Sequence, residues 1–231
     1  MSKRKLTYLP FALVAFALLL VQCKNYEVDS LEELQQLVSN PPPELSKQVS
    51  QGDFTFQIDY LPSEFLLLRE YEYLEELKER EANEEAISRQ LGYLEQYRKG
   101  YESVHQFKLT ITPNDDTDLI YAKMGQGFNS YSQWLQKLLF GIKDEINLQL
   151  PDGTEIPVVD YRMDRNYGTS PSRTFLLTFP KEWNGEQLMK QDYLLLEINE
   201  FGLGTGKVQA KFSMPFPTII YTNQSLEHNN S

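Results

Sequence analysis

The side chains that most often carry catalytic chemistry are scarce in this sequence. It contains two histidines, His105 and His228, and a single cysteine, Cys23. The motifs HExxH and GxSxG are absent, and no cysteine or histidine spacing fits a zinc site. A serine triad would have to use His105, which lies between a predicted helix and a predicted strand and is better explained as structural. We therefore expect no cofactor and no catalysis that depends on histidine.

An acidic stretch, NDDTD, begins at Asn114 and places oxygen atoms at alternate positions, as a calcium loop does. An EF-hand needs glycine at its sixth position and glutamate at its twelfth, where this chain has Leu119 and Gly125. The EF-hand is thereby excluded, and a solvated strand connection is the simpler interpretation. Three carboxylates remain candidate ligands of a looser cation site: Asp115, Asp116 and Asp118.

A glycine-rich stretch, GLGTGK, spans residues 202–207 and resembles a phosphate-binding loop at first sight. A Walker loop needs four residues between its glycines, and a serine or threonine after its lysine. Here Val208 follows Lys207 and begins a predicted strand. The stretch is therefore expected to be a turn between two strands.

Carboxylates and aromatic rings are the remaining groups that could act on a ligand. A glycosidase needs only two carboxylates about 5 to 10 Å apart, and 33 acidic residues supply too many pairs to choose from. The 29 aromatic residues are more informative: Trp134 and Tyr161 fit the predicted core, whereas Tyr167 and Trp183 lie near turn residues. We therefore name Tyr167 and Trp183 as candidate ligand-binding residues for a sugar or a peptide.

The elements that must position these residues are mainly strands. Apolar and polar residues alternate from Phe54 to Tyr60, as a half-buried strand requires. Asp152-Gly153 and residues 202–206 predict turns between neighbouring strands. Such patterns predict further strands at 107–111, 118–124, 146–150, 156–163, 175–179, 192–199 and 208–214. We expect a mainly β fold with α elements, an antiparallel β-sandwich of immunoglobulin-like type.

Helical periodicity appears in three stretches. Residues 63–104 form a helical insert between the first two predicted strands, with Ser63 as N-cap and a break at 81–85. A second helix is predicted from Ser130 to about Phe140. A short helix starts at the capping box of residues 30–33 and ends before the prolines at 41–43.

The composition restricts the partners. Without residues 1–22 the chain carries 19 basic and 33 acidic residues, a net charge of −14 on 209 residues. No basic patch could neutralise a nucleic-acid backbone, so nucleic acid is not expected as a partner. One cysteine cannot form an intramolecular disulfide, and stability must come from an apolar core.

The first residues have the form of an export signal. Three cations lie within the first five residues, and an apolar run of sixteen residues follows from Leu6 to Val21. As a helix this run rises about 24 Å, less than the roughly 30 Å of a bilayer core, so a cleaved signal fits better than an anchor.

The segment Leu20-Val21-Gln22-Cys23 resembles the lipobox of bacterial lipoproteins. The resemblance covers only residues 1–23, and it implies that Cys23 is lipidated and becomes the first mature residue. Because Lys24 rather than aspartate follows the cysteine, it also implies the outer membrane, with the domain facing the periplasm or the cell surface. An ordinary secretory signal, with an incidental cysteine, is the alternative.

These expectations give one functional prediction. Residues 1–22 form the signal, 23–52 a tether, 53–221 the sandwich domain and 222–231 a disordered tail. The protein is a lipid-anchored envelope module that binds or scaffolds a protein or glycan and does not catalyse a reaction. The alternatives are a glycan-acting enzyme that uses two carboxylates and a structural subunit of an envelope assembly.

Overall fold

A computed structural model of the chain describes residues 25–115, 117–121, 127–164 and 170–222. These residues form a mixed α/β fold with mostly antiparallel sheets. The strands are β1 (Asn25–Val28), β2 (Ser46–Gln51), β3 (Phe54–Leu61), β4 (Val104–Pro113), β5 (Ile146–Gln149), β6 (Glu155–Pro157), β7 (Asp160–Met163), β8 (Arg173–Pro180), β9 (Glu182–Trp183), β10 (Glu186–Gln187), β11 (Tyr193–Ile198), β12 (Val208–Ser213) and β13 (Thr218–Tyr221). The α-helices are α1 (Leu31–Ser39), α2 (Ser63–Leu66), α3 (Leu68–Glu79), α4 (Glu84–Glu102) and α5 (Phe128–Gln136).

The larger sheet has five antiparallel strands in the order β2-β3-β4-β8-β7. Its inner face is built from the apolar residues of the two-residue alternation, and Phe56, Phe107 and Phe175 are fully buried there. The strands predicted at 54–60, 107–111 and 175–179 are thereby confirmed.

The second sheet has four strands in the order β12-β11-β5-β6. The predicted turn at Asp152-Gly153 joins β5 to β6, with the Gly153 amide donating to the Leu150 carbonyl at 2.9 Å. Residues 202–206 connect β11 to β12 as predicted. The stretch predicted as one strand over 156–163 divides between the two sheets, because the chain leaves β6 at Val158 and enters β7 at Asp160.

One core serves both sheets. The Phe107 ring on β4 meets the Phe212 ring on β12 edge to face, with centroids 5.3 Å apart. Phe216, which follows β12, stacks on Tyr60 of β3 at 3.6 Å. The mainly antiparallel, β-rich prediction is confirmed at this level.

Residues 25–52 of the expected tether belong to the folded body. β1 pairs in parallel with β13, and β2 is the edge strand beside β3. Between them lies α1, whose predicted cap is confirmed: the Ser30 hydroxyl accepts from the Glu33 amide at 3.2 Å. At the other end of the chain, the Thr222 amide donates to the Val28 carbonyl, and residues 223–231 of the predicted tail lie outside the described residues.

The helical insert lies between β3 and β4, which are the third and fourth strands of the chain. Its predicted break is confirmed: Glu81 has a φ of 51°, and the Asn83 side chain caps α4 by accepting from the Ala86 amide. The predicted cap at Ser63 is wrong, because Pro62 occupies the N-cap and Ser63 is the first helical residue. Pro62 suits a helix start since its ring fixes φ and it has no N–H to satisfy.

Two further predictions are corrected. Residues 118–121 form a turn rather than the predicted strand, and residues 122–124 lie outside the described residues. The helix predicted from Ser130 begins at Phe128 and continues beyond Gln136 as a π-helical turn, Lys137–Gly141, and a 3₁₀ turn, Ile142–Glu145. None of the helices in the described part of the chain is long and apolar enough to span a membrane.

Candidate functional site

The two aromatic residues predicted to bind a ligand are not brought together within the described residues. Tyr167 lies outside them. Trp183, on β9, is half-buried and packs against the core, so only part of its ring faces solvent. Tyr161 also packs against the core, as predicted, and its hydroxyl donates to the Leu139 carbonyl.

The acidic stretch has a structural role at Asp118, which is partly buried. Both oxygens of Asp118 accept from Arg173 Nη2, at 2.7 and 2.6 Å, and Arg173 is only 3% exposed. Asp115 accepts from the Thr117 amide, and Asp116 lies outside the described residues. Because the arginine already neutralises Asp118, this carboxylate is a poor cation ligand. No group of three or more metal-ligating side chains occurs in the described ranges.

Two carboxylates share one hollow of about 400 Å³ beside β5 and β6. Asp144 and Glu155 line it together with the amides of Asn147 and Asn199. Both acids are exposed, and no aromatic ring lines the hollow among the described residues. A general acid that cleaves glycosides needs a site that excludes water, and this open hollow does not supply one.

His105 lies in the core. It is fully buried, and its Nδ1 lies 3.3 Å from the Tyr60 hydroxyl. Burial, with a smaller contribution from the charge of Lys181, lowers the pKa of His105 to about 3. A neutral imidazole without access to solvent cannot exchange protons with a substrate, which agrees with the structural role inferred from the sequence.

The helical layer carries the most distinctive exposed surface. On α4 the residues Tyr93, Tyr97 and Tyr101 follow one another at a spacing of four, which places them along one side of the helix. We call these three residues the tyrosine face. Neighbouring ring centroids are 6.4 and 6.5 Å apart, within the range of aromatic contacts. Tyr93 and Tyr97 are 46% and 43% exposed, so their rings offer apolar area and hydroxyl groups to solvent.

The environment of the tyrosine face differs along its length. At the C-terminal end Tyr101 is half-buried, and burial together with the negative charge of Glu70 raises its pKa. Towards the N-terminal end the helix carries Gly92, and a Cβ added there would meet nothing within 4 Å. The same holds at Gly100, so both glycines leave the backbone beside the rings open to close approach.

A buried polar network holds α4 in place. Glu64 on α2 accepts from the Tyr71 hydroxyl and, at 3.3 Å, from Arg98 Nε, while Arg98 Nη2 donates to the Tyr71 oxygen. Tyr71 is 1% exposed, and burial followed by the contact with Glu64 raises its pKa far above the usual range. Its ring also contacts Tyr221 of β13 at 4.6 Å. The three helices are thus joined to one another and to the sheets.

A second contact fixes the distance between α3 and α4. Gln90 is 4% exposed, and its Nε2 donates to the Glu70 backbone carbonyl and to a Glu70 carboxylate oxygen at 3.2 and 2.8 Å. Leu94 is also buried against the core, so this side of α4 is packed, and the exposed rings of Tyr93 and Tyr97 lie along its edge. The rings are therefore presented by a rigid support.

No protein family model matches the chain, and no curated protein matches it. Two solved structures are partly similar. One is a protein of unknown function from Burkholderia pseudomallei K96243, 15% identical, with a TM-score of 0.39 over 80% of this chain and 89% of that one. The other is a DUF4426 family protein from Pseudomonas aeruginosa PAO1, 11% identical, with a TM-score of 0.35 over 76% of this chain and 98% of that one. Likeness at this level supports no functional inference.

The four-residue spacing of the tyrosine face is visible in the sequence, but spacing alone does not show which of its rings are exposed. Tyrosine suits both a core and a contact surface, since its ring is apolar and its hydroxyl is polar.

Proposed function

We propose that this chain is an exported protein, lipid-anchored at Cys23 in a bacterial envelope, that binds a protein partner through its tyrosine face and catalyses no reaction. The observation that carries the proposal is the pair of exposed rings on the rigid helix α4, Tyr93 and Tyr97. Tyrosine is enriched at protein interfaces because it supplies a large contact area and loses little conformational entropy on binding.

The shape of the surface favours a protein over a glycan. Tyr93 and Tyr97 lie along an exposed edge of a helix, whereas sugars are usually held in concave sites that supply several polar groups. The charge of the layer adds a second restriction. Residues 61–104 hold eleven acidic and six basic side chains, a net charge of −5. A partner that approaches this layer is expected to carry a basic surface.

A photo-cross-linking experiment tests the proposed surface. Tyr97 is replaced by p-benzoylphenylalanine in the full chain in its native host, and Tyr73 is replaced in a matched control. Tyr73 is 48% exposed on the neighbouring helix α3, so it differs in position rather than in accessibility. We expect a discrete protein adduct at position 97 and none at position 73.

A further substitution tests the energetics of the same contact. Tyr93→Ala in the position-97 chain is expected to reduce the adduct at least tenfold, since a central interface tyrosine commonly contributes about 2 kcal/mol. No adduct at position 97, or equal adducts at both positions, would contradict the proposal. An adduct in constant stoichiometry with one envelope complex would favour the structural-subunit alternative.

The lipid anchor is tested at Cys23. In the Cys23→Ala variant we expect the protein to move from the membrane fraction to the soluble fraction, because acyl chains would supply nearly all of its membrane affinity. The measurement is flotation of envelope fractions, with metabolic labelling by palmitate as a second readout. A variant that floats with membranes as the wild type does would contradict the anchor.

The finer description of the fold also belongs to this proposal. The ring contact between Phe107 and Phe212 supports two sheets stacked as a sandwich. An immunoglobulin-like arrangement requires the strand directions of the two sheets to lie about 30° apart. An experimental structure with nearly perpendicular sheets would exclude it.

A further inference from the structure

The glycine-rich loop between β11 and β12 is built around an anion. One oxygen of the Glu200 carboxylate accepts from the amides of Gly202 and Gly204, at 2.6 and 2.9 Å. The other oxygen accepts from the Gly206 amide at 2.7 Å and from the Thr205 hydroxyl at 3.3 Å. Four donors from one short loop thus converge on a single carboxylate.

The backbone conformation of the loop requires its glycines. Gly202, Gly204 and Gly206 have φ values of 109°, 77° and 70°, which residues other than glycine rarely adopt. This conformation turns the N–H groups of alternate residues towards the same point, which resembles the backbone nests that bind anions in many proteins. The resemblance to a phosphate-binding loop therefore has a physical basis, although the Walker pattern is absent.

The rest of the loop is held from outside. Gln51 Nε2, at the end of β2, donates to the carbonyl groups of Thr205 and Lys207. The carbonyls therefore face away from the anion and the amides face towards it. Glu200 itself is an exposed side chain, so the anion position lies at the surface rather than in the core.

A further donor lies beside the loop. Trp134 is 7% exposed, and its Nε1 finds no hydrogen-bond acceptor in the described part of the chain. This nitrogen lies 3.2 Å from the position that a Cβ on Gly202 would take. One unsatisfied donor therefore lies beside the loop, in addition to the four that Glu200 satisfies.

We propose that residues 202–206 form an oxyanion receptor, which this chain fills with its own Glu200 carboxylate and which accepts an external carboxylate or phosphate once that side chain is removed. The Glu200 carboxylate is part of the same chain, so its effective concentration at the loop is high. A free anion at millimolar concentration therefore does not displace it from the intact chain. The receptor is therefore hidden in the wild type. The backbone hydrogen bonds from the glycines outweigh desolvation and lower the pKa of Glu200 to about 2, which agrees with a resident anion.

The test uses Glu200→Ala in the mature chain, with Glu200→Gln as the second variant. Without added anion, we expect Glu200→Ala to lower Tm by about 5 °C, because the charge-assisted hydrogen bonds are lost. Inorganic phosphate at about 50 mM should then raise the Tm of this variant by about 3 °C more than that of the wild type, with saturation. Potassium chloride of equal ionic strength is the control for screening, and acetate distinguishes a carboxylate ligand from a phosphate ligand.

Each outcome decides the proposal. An unchanged Tm in Glu200→Ala, or a phosphate response equal to that of the wild type, would overturn it. The variant Glu200→Gln keeps one neutral acceptor, so its Tm should lie between those of the wild type and Glu200→Ala.

In the wild type, the amide proton shifts of Gly202, Gly204 and Gly206 should stay constant from pH 7 to about 3.5. Shifts that titrate near the ordinary glutamate pKa of about 4.3 would contradict the resident anion.

Discussion

Replacing Arg98 with methionine is expected to lower the free energy of unfolding by about 3 kcal/mol. Methionine keeps the apolar stem and removes the charge that Glu64 faces at 3.3 Å. The Glu64 side chain is 11% exposed, so the variant leaves a carboxylate in a poorly hydrated place with only Tyr71 as its donor. Since the Arg98 side chain is 32% exposed, the expected loss lies at the low end for a buried ion pair.

Urea denaturation at pH 7 measures this effect. The matched control is Arg80→Met, whose ion pair with Glu76 lies on the same helical layer with side chains 75% and 54% exposed. We expect Arg80→Met to lower the free energy of unfolding by less than about 0.5 kcal/mol. The double variant Glu64→Gln with Arg98→Met should recover part of the loss, because no charge remains buried. Equal losses in Arg98→Met and Arg80→Met would show that the network does not hold the helices.

Acid is expected to destabilise the wild type through His105. The unfolded chain binds a proton at this imidazole below a pKa of about 6.5, whereas the folded chain keeps it neutral down to a pKa of about 3. Stability from His105 is therefore complete above pH 6.5 and is lost progressively as the pH falls towards 3. Between pH 7 and 4.5 the loss amounts to about 2.5 kcal/mol.

The variant His105→Phe isolates this contribution. Phenylalanine suits the cluster of Tyr60, Phe107 and Phe216 around position 105 and cannot be protonated. Its stability difference between pH 7 and 4.5 should be smaller than that of the wild type by about 2.5 kcal/mol, whatever its stability at pH 7. The imidazole resonances of His105 should also remain unshifted down to pH 4.5. Titration of His105 near pH 6.5 in the folded protein would contradict the prediction.

The strands that the sequence predicts are those with one buried and one exposed side. Phe54 to Ile58 alternates in both composition and burial, and Arg173 to Pro180 alternates in burial, so a pattern of period two is sufficient to find these strands. β2 could not be found in this way, because its sequence SKQVSQ contains Val49 as its one apolar residue. Its position depends on backbone pairing with β3, which a composition pattern does not encode.

Long-range pairing explains the other differences. β1 and β13 are four residues each and are separated by almost the whole chain, so neither predicts the other locally. The tether was inferred from the prolines at 41–43, yet Pro42 is buried and the Leu45 amide donates to its carbonyl. Proline stiffens the chain in both cases, and only tertiary contacts distinguish a spacer from a packed turn.

The candidate sites also differ in whether local sequence or long-range contacts determine them. The sequence predicted a structural role for His105, from its place between a helix and a strand, and a turn at residues 202–206. The anion inside that turn was not predicted, because it comes from the Glu200 side chain rather than from a ligand. Exposure of the tyrosine face depends on which side of α4 meets the core, and the contacts of Gln90 and Leu94 decide that.

The parallel pairing of β1 with β13 limits the linker between Cys23 and the folded domain, and so limits how far a lipid-anchored domain could move. β1 starts at Asn25, two residues after Cys23, and consecutive Cα atoms are about 3.8 Å apart. A lipid on Cys23 would therefore keep this corner of the domain within about 8 Å of its attachment point. A body held so closely would rest near the bilayer surface and would not tumble freely above it. Its search for partners would be two-dimensional, along the membrane plane.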